Sequence, residues 1–207
     1  NNKSVIPDYQ QEVKEALDTL DTKNVDIDFL MGKFDPSQHS DFVKVPLIYA
    51  NREGMYLQKE VLDAFIKMEN AAKENGIKIT IISATRNFDA QKAIWEGKWK
   101  TLQSDPLILS SKDKAIATSK KILEYSSMPG TSRHHWGTDI DFNSLKNEYF
   151  ESGEGKKLYD WLQQYGPQFG FVQVYTKKGS DRSTGYNEEK WHYTYKPLSK
   201  NYTQIAK

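Results

Sequence analysis

His134, His135, Asp139, Asp141 and His192 stand in sequence that reads as strand and turn, and this placement limits the folds open to the chain. His134 and Asp141 are seven residues apart, so they cannot be the adjacent-turn pair of a helical His-Glu-x-x-His motif. A metal held by them would have to bridge different elements. Gly137 between them fits a tight turn that lets a histidine on one limb converge with Asp141 on a following strand. The period of two puts Asp139 on the same strand face. His192 lies some fifty residues further on and completes two nitrogens and an oxygen, the three protein ligands of a catalytic Zn²⁺ whose fourth position is left for water. Glu189, three residues before His192, supplies a base. His135 is an alternative ligand or a supporting donor. Adjacent residues on an extended chain point to opposite sides, so it and His134 do not both ligate.

The chain has no cysteine, so any metal must be held by histidine and carboxylate; this leaves the redox compartment open. Of the remaining histidines, His39 reads as a surface residue in the irregular stretch from Pro36 to Asp41. The formal net charge is +1 and no basic block occurs, which removes the electrostatic footprint of a nucleic-acid binder. No apolar run approaches the roughly 18 to 20 residues of a membrane span. The start Asn1-Asn2-Lys3-Ser4 is no signal-peptide core, so an exported protein would carry this sequence as its processed form. At 207 residues the expectation is one domain over 26–207, preceded by a helical extension over 1–25.

Val13, Ala16, Leu17 and Leu20 predict an amphipathic helix over Asp8 to Leu20. Gly32, Pro36 and Pro46 break the pattern from Asp26 to Asn51, where loops and short turns are expected. Leu57, Val61, Ala64, Phe65, Met68 and Ala72 mark one face of a long helix that stops at Asn75-Gly76. The β-branched run Ile77 to Ile82 predicts a buried strand, which puts Ser83 to Arg86 at its C-terminal end. Asn87 or Asp89 would cap a helix containing Gln91, Ile94, Trp95 and Trp99, and a further helix runs from about Asp113 to Tyr125. Met128-Pro129-Gly130 is turn chemistry. Strands are expected at Thr138 to Phe142, Phe171 to Tyr175 and Trp191 to Tyr195, with a helix over Gly153 to Tyr165. Helices come first and short strands later without regular alternation, so the fold class is α+β, a small antiparallel sheet with helices packed against it.

Three segments carry a family resemblance. Ser132-x-His134-x-x-Gly137-x-Asp139-x-Asp141, Glu189-x-Trp191-His192 and the turn Ser83-x-Thr85-Arg86-Asn87 with Gln91 resemble the motifs of the VanY-type D-alanyl-D-alanine carboxypeptidases. These are bacterial zinc peptidases that trim peptidoglycan stem peptides. They have D,D- and L,D-carboxypeptidase relatives, and their fold group is shared with the Hedgehog signalling domain. The likeness covers roughly Phe29 to Tyr195. Asp139 stands where the family usually has Ala, Thr85 where it has Tyr and Asn87 where it has Ser; none of these is a ligand or the base.

The resemblance selects His134 over His135 and implies Zn²⁺ on His134, Asp141 and His192, with Glu189 as the general base. It also implies that Ser132 helps to hold the substrate's terminal carboxylate, with Gln91 and Tyr186 as further candidates for the pocket. Arg86, at the end of a rigid strand, is the candidate positive donor for an oxyanion or for the substrate carboxylate. Trp191 is expected to pack beneath the site and orient His192. Asp139 is read either as an acceptor that fixes a histidine tautomer or as a solvated carboxylate.

The expected activity is zinc-dependent release of a C-terminal D-alanine from a stem peptide or muropeptide, and the expected location, the bacterial cell envelope, follows from that substrate. An endopeptidase or a non-catalytic zinc module of the same fold are the alternatives, and Glu189 beside an intact ligand set favours an enzyme. A metal-dependent nuclease using His134-His135 is disfavoured by the absence of basic surface. Oligomeric state is unreadable.

Overall fold

The structure is a computed structural model that describes residues 26–103 and 112–206, together with Gln11 and Lys14. The helix expected over Asp8 to Leu20 lies outside the described residues. Asp26 caps the short helix α1 (Ile27–Leu30), its carboxylate accepting from the Asp28 N–H at 3.0 Å. Strand β1 (Phe42–Lys44) and strand β2 (Tyr56–Gln58) then pair antiparallel, with Phe42 opposite Gln58. Periodicity alone could not reveal this hairpin, because each strand has three residues and an irregular stretch separates them. Leu57 is buried in β2 instead of opening the next helix.

That helix, α2 (Lys59–Glu74), buries Val61, Phe65, Met68 and Ala72 at helical spacing. It ends where expected: Gly76 takes a φ of 70° and its N–H donates to the Lys73 carbonyl at 2.9 Å. Strand β3 (Ile81–Ser83) is shorter than the apolar run suggests. The residues before it have no neighbouring strand, and the Thr80 N–H bonds to the Asn143 side chain at 2.9 Å instead. Asn87, rather than Asp89, caps helix α3 (Phe88–Gln103) by accepting from the Ala90 N–H at 2.9 Å.

Helix α4 (Lys112–Ile122), a 3₁₀ turn (Arg133–Trp136) and strand β4 (Asp139–Phe142) follow. Next come a second turn (Asn147–Glu151), helix α5 (Gly153–Tyr165), a third turn (Gly166–Phe169) and strands β5 (Phe171–Gln173) and β6 (His192–Tyr195). The described chain closes with helix α6 (Lys196–Ile205), which the sequence patterns did not indicate. Pro197 reads as a breaker, yet in the first turn of a helix its missing N–H costs nothing.

The main sheet has the order β3-β4-β6-β5 and is antiparallel throughout. Its register sets Ser83 opposite Asp141 and Asp141 opposite His192, while Asp139 faces Thr194 and Ile140 faces Tyr193. Directly opposed residues share a face. One face therefore carries Ile140, Phe142, Tyr193 and Tyr195 into the hydrophobic core, where Phe142 stacks on Phe65 of α2 at 5.8 Å. The other face carries Asp139, Asp141, His192 and Thr194. The alternation of β4 would suit a half-solvated strand, but all of its residues and all of those of β6 are buried. Buried polar side chains on a sheet face need partners, and their arrangement defines the site.

Candidate metal centre

Ser132 caps the 3₁₀ turn, its hydroxyl accepting from the His134 N–H at 3.3 Å. Gly137 ends the turn at a φ of 70°, where an added Cβ would stand 2.4 Å from the Phe42 ring, so glycine is required on both counts. The tight turn expected at Gly137 is therefore present, but the two neighbouring histidines sit on a 3₁₀ turn and not on extended chain. Their rings separate all the same. The Nδ1 of His134 meets the Ala84 carbonyl at 2.8 Å, and the Nδ1 of His135 meets the Arg86 carbonyl at 2.6 Å. His135 also accepts from the Gly130 N–H through Nε2 at 3.1 Å, and burial pushes its pKa down to about 4, so it is a neutral clamp with both ring nitrogens used.

His134 donates through Nδ1, so its Nε2 carries the lone pair. Burial and the nearby Arg86 guanidinium push its pKa down and keep it neutral. Among the described residues neither that Nε2 nor Asp141 Oδ1, which stands 3.4 Å away, has a hydrogen-bond partner. An unpaired buried polar atom costs on the order of 1–3 kcal/mol, and here two face each other. His192 completes the group, with Nδ1 3.8 Å from the same Asp141 oxygen. One ligand atom from each of His134, Asp141 and His192 falls within 4.8 Å of the others, the group that could hold a metal ion among the described residues. The two orphaned atoms are where a cation would satisfy both, so the residues present fit a bound metal.

Glu189 is buried against this group, its Oε2 3.0 Å from His192 Nδ1. Arg86 follows β3; its backbone N–H donates to the His134 carbonyl at 3.1 Å, which ties its turn to the His134 turn. Burial pushes its guanidinium pKa down, while Asp141 and Glu189 favour the charge, and its Nε has no hydrogen-bond partner among the described residues. Two cavities meet at the site, and Arg86, His134, Glu189 and His192 line both. The narrow polar one, of about 30 Å³, is walled by Gln91, Ser127, Ser132 and Tyr186. Gln91 donates to the Ser127 carbonyl at 2.7 Å and its Oε1 is left unpartnered, and the Tyr186 hydroxyl donates to Ser127 Oγ at 3.0 Å. The larger groove, of about 570 Å³, runs past Ile94, Lys98, Asn147 and Trp191.

All eight residues singled out from sequence lie around these two cavities. Three readings change. His39 is half-buried and packs against Phe29, Phe34 and Phe42 with ring centroids 5.1 to 5.6 Å apart, so it is not a free surface residue. The His192 ring is held by Asp139, Glu189 and the edge-on Tyr175 ring at 5.0 Å, while Trp191 forms groove wall and core. Asp139 is fully buried and is no solvated carboxylate. Ser127, Tyr175 and Lys98 were not anticipated. Lys98 Nζ donates to Ser126 Oγ at 2.5 Å, and burial pushes its pKa down. An isolated polar residue in a loop or on a helix carries no periodicity to reveal it.

The model of the family described as VanY, D-alanyl-D-alanine carboxypeptidase, matches residues 54–198, more than half of the chain and all of the site. The chain belongs to the VanY family. Among curated relatives, it is 29% identical over 175 residues to the putative carboxypeptidase YodJ of Bacillus subtilis, covering 80% of this chain and 56% of YodJ. It is 29% identical over 126 residues to a D-alanyl-D-alanine carboxypeptidase of Enterococcus faecalis, covering 61% of this chain and 43% of that one. The chain thus spans about half the length of the curated relatives it matches. Among solved structures, the LdcB LD-carboxypeptidase superposes with a TM-score of 0.60 at 25% identity, over 84% of this chain and 75% of that one. VanYB, solved with D-alanine-D-alanine, gives a TM-score of 0.59 at 23% identity over 83% and 85% of the two chains and shares the fold.

Proposed function

We propose that this VanY-family chain is a zinc carboxypeptidase that releases a C-terminal D-alanine from peptidoglycan stem peptides. The observation that carries the reading is the orphaned pair, His134 Nε2 and Asp141 Oδ1, 3.4 Å apart and buried beside His192 and Glu189. Two ligands of a tetrahedral zinc with bonds of 2.0–2.1 Å stand about 3.3 Å apart, so this spacing suits that ion. His134 through Nε2, Asp141 through Oδ1 and His192 through Nδ1 would hold it. Bound zinc supplies Lewis acidity, polarising the scissile carbonyl and lowering the pKa of water toward 7.

The chain's own groups account for the remaining steps. The Glu189 carboxylate takes a proton from the attacking water and returns it to the leaving amine nitrogen, a role worth roughly 10²–10⁴-fold in rate. The Arg86 guanidinium, positive and exposed to both cavities, meets negative charge on the substrate carboxylate or on the developing oxyanion. Gln91, Ser132 and Tyr186 wall the narrow cavity, whose size and polarity suit a free terminal carboxylate. A small polar recess of this kind favours a carboxypeptidase over an endopeptidase, which needs a groove open at both ends. The larger groove would receive the rest of the stem peptide. Such a substrate places the enzyme in the cell envelope, and no helix of the described residues is long and apolar enough to cross a membrane.

Incubation with pentapeptide and tetrapeptide muropeptides, with and without a chelator, tests the proposal by product mass. Loss of one D-alanine from the pentapeptide alone assigns D,D specificity, and loss from the tetrapeptide assigns L,D. Cleavage within the stem, or turnover unaffected by chelation, would sink it.

A further inference from the structure

The His192 ring has two nitrogens, and only one can serve a metal. Its Nε2 lies 2.9 Å from Asp139 Oδ1, which leaves Nδ1 on the side of Glu189 Oε2 at 3.0 Å and Asp141 Oδ1 at 3.8 Å. Asp139 is fully buried and each of its oxygens is doubly occupied. Oδ1 also accepts from Arg133 Nε at 2.8 Å, and Oδ2 accepts from the hydroxyls of Thr138 at 2.7 Å and Thr194 at 2.8 Å. The carboxylate therefore has no freedom to rotate away from the imidazole.

Arg133 is fixed in turn. It donates to Thr194 Oγ1 at 3.0 Å and, through its other terminal nitrogen, to Thr203 Oγ1 of α6 at 2.7 Å, and its guanidinium lies over the Trp136 ring at 4.8 Å. A chain of direct hydrogen bonds thus runs from the C-terminal helix through Arg133 and Asp139 to the second histidine. His134 has only a backbone carbonyl behind its ring, so the two histidines are supported by different means.

We propose that Asp139, neutralised by Arg133, is a positioning residue that commits His192 to ligate through Nδ1 and thereby sets how tightly the site retains its metal. A carboxylate that accepts from the far nitrogen of a ligating imidazole fixes its tautomer and ring angle and makes it a stronger donor. The four donors around Asp139 keep it in place for that task. Arg133 makes a buried carboxylate tolerable, because an unpaired charge at that depth would be expelled or protonated. This inference rests on the proposed zinc site.

The test measures zinc affinity by competition with a chromophoric chelator, and the melting temperature of the metal-free protein, for the wild type, Asp139→Asn and the double variant Arg133→Ala with Asp139→Ala. The double variant removes both charges together, so no orphaned ion is left. It is expected to bind zinc roughly 10- to 100-fold more weakly. Asp139→Asn keeps an acceptor for Nε2 and is expected to fall between it and the wild type; it also serves if the double variant does not fold. If the metal-free melting temperatures fall while zinc affinity stays at the wild-type value, Asp139 is only a structural pair and the inference is overturned. A wild type that retains no zinc overturns the functional reading itself, an outcome distinct from wild type and variants binding zinc equally.

Discussion

At the scale of single residues, the site separates holding a metal from using it. His134, Asp141 and His192 contribute the converging atoms, whereas the Glu189 carboxylate meets the group at the His192 ring. Glu189→Ala should therefore purify with zinc and lose about 10²–10⁴-fold of its hydrolysis, while alanine at any of the three ligands should lose the zinc too. Metal analysis beside a muropeptide assay checks both, and a fully active Glu189→Ala would remove Glu189 from the chemistry. The proton balance of His192 gives a second prediction. Burial works against its charge, but hydrogen bonds to Asp139 and Glu189 outweigh it and raise its pKa from 6.5 to about 9 in the metal-free protein. A pKa raised on folding contributes stability that is fully present below pH 6.5 and is lost as the pH rises through 9. The urea midpoint of the metal-free protein should fall across that window, and zinc uptake at pH 7 should release about one proton, measurable by calorimetry in buffers of different ionisation enthalpy. That His134, Asp141 and His192 would converge was legible in sequence because spacing about Gly137 and the Glu-x-Trp-His motif limit where such residues can meet, and the family resemblance chose His134 over His135. The role of His135 was not, because its partners are the backbone groups of Arg86 and Gly130, and backbone groups leave no mark in residue identity.

At the scale of elements, what was legible follows from period and length. Helix α2 buries a face at the spacing its apolar pattern marked, and α5 covers the Gly153–Tyr165 stretch whose composition reads as helical. Strands β1 and β2 escaped notice because three residues of alternation are too few to stand above irregular sequence, and α6 because most of its residues are polar. Strand β3 came out shorter than its isoleucine run because a ladder extends only as far as its neighbour does. A tightly constrained junction is Gly137, between the 3₁₀ turn that carries His134 and strand β4 that carries Asp141. Alanine there must take a φ of 70° and place its Cβ 2.4 Å from Phe42. Gly137→Ala should cost at least about 1 kcal/mol in denaturant unfolding. It should also weaken zinc binding, since the two ligands no longer meet at the same spacing. Phe65→Ala, in the core and away from the ligands, should cost more, about 3–5 kcal/mol, while leaving zinc affinity near that of the wild type. Measuring stability and zinc affinity on the same pair separates damage to the frame from damage to the site.

At the scale of the whole molecule, one sheet serves two environments. Its core face is closed by α2 and the aromatic packing of Phe65, Phe142 and Tyr193, and its site face gathers two carboxylates and a histidine within one register of β4 and β6. The apolar face packs into a continuous hydrophobic core that includes none of the candidate metal ligands, so the fold is expected to form without metal, unlike a zinc finger. A metal held by His134, Asp141 and His192 would instead join a turn and two strands that already lie close. Chelation should therefore leave the far-ultraviolet circular dichroism at 25 °C unchanged and lower the melting temperature. At free zinc of about a thousand times the dissociation constant, the ion contributes about 4 kcal/mol. For a chain of this size each kcal/mol shifts the midpoint by about 2–4 °C, so zinc removal should cost on the order of 10 °C. Collapse of the circular dichroism on chelation would mean that the core face does not hold the sheet without the metal. An unchanged melting temperature would mean that the orphaned atoms of His134 and Asp141 are tolerated unpaired, and the argument from those two atoms to a bound metal would fail with it.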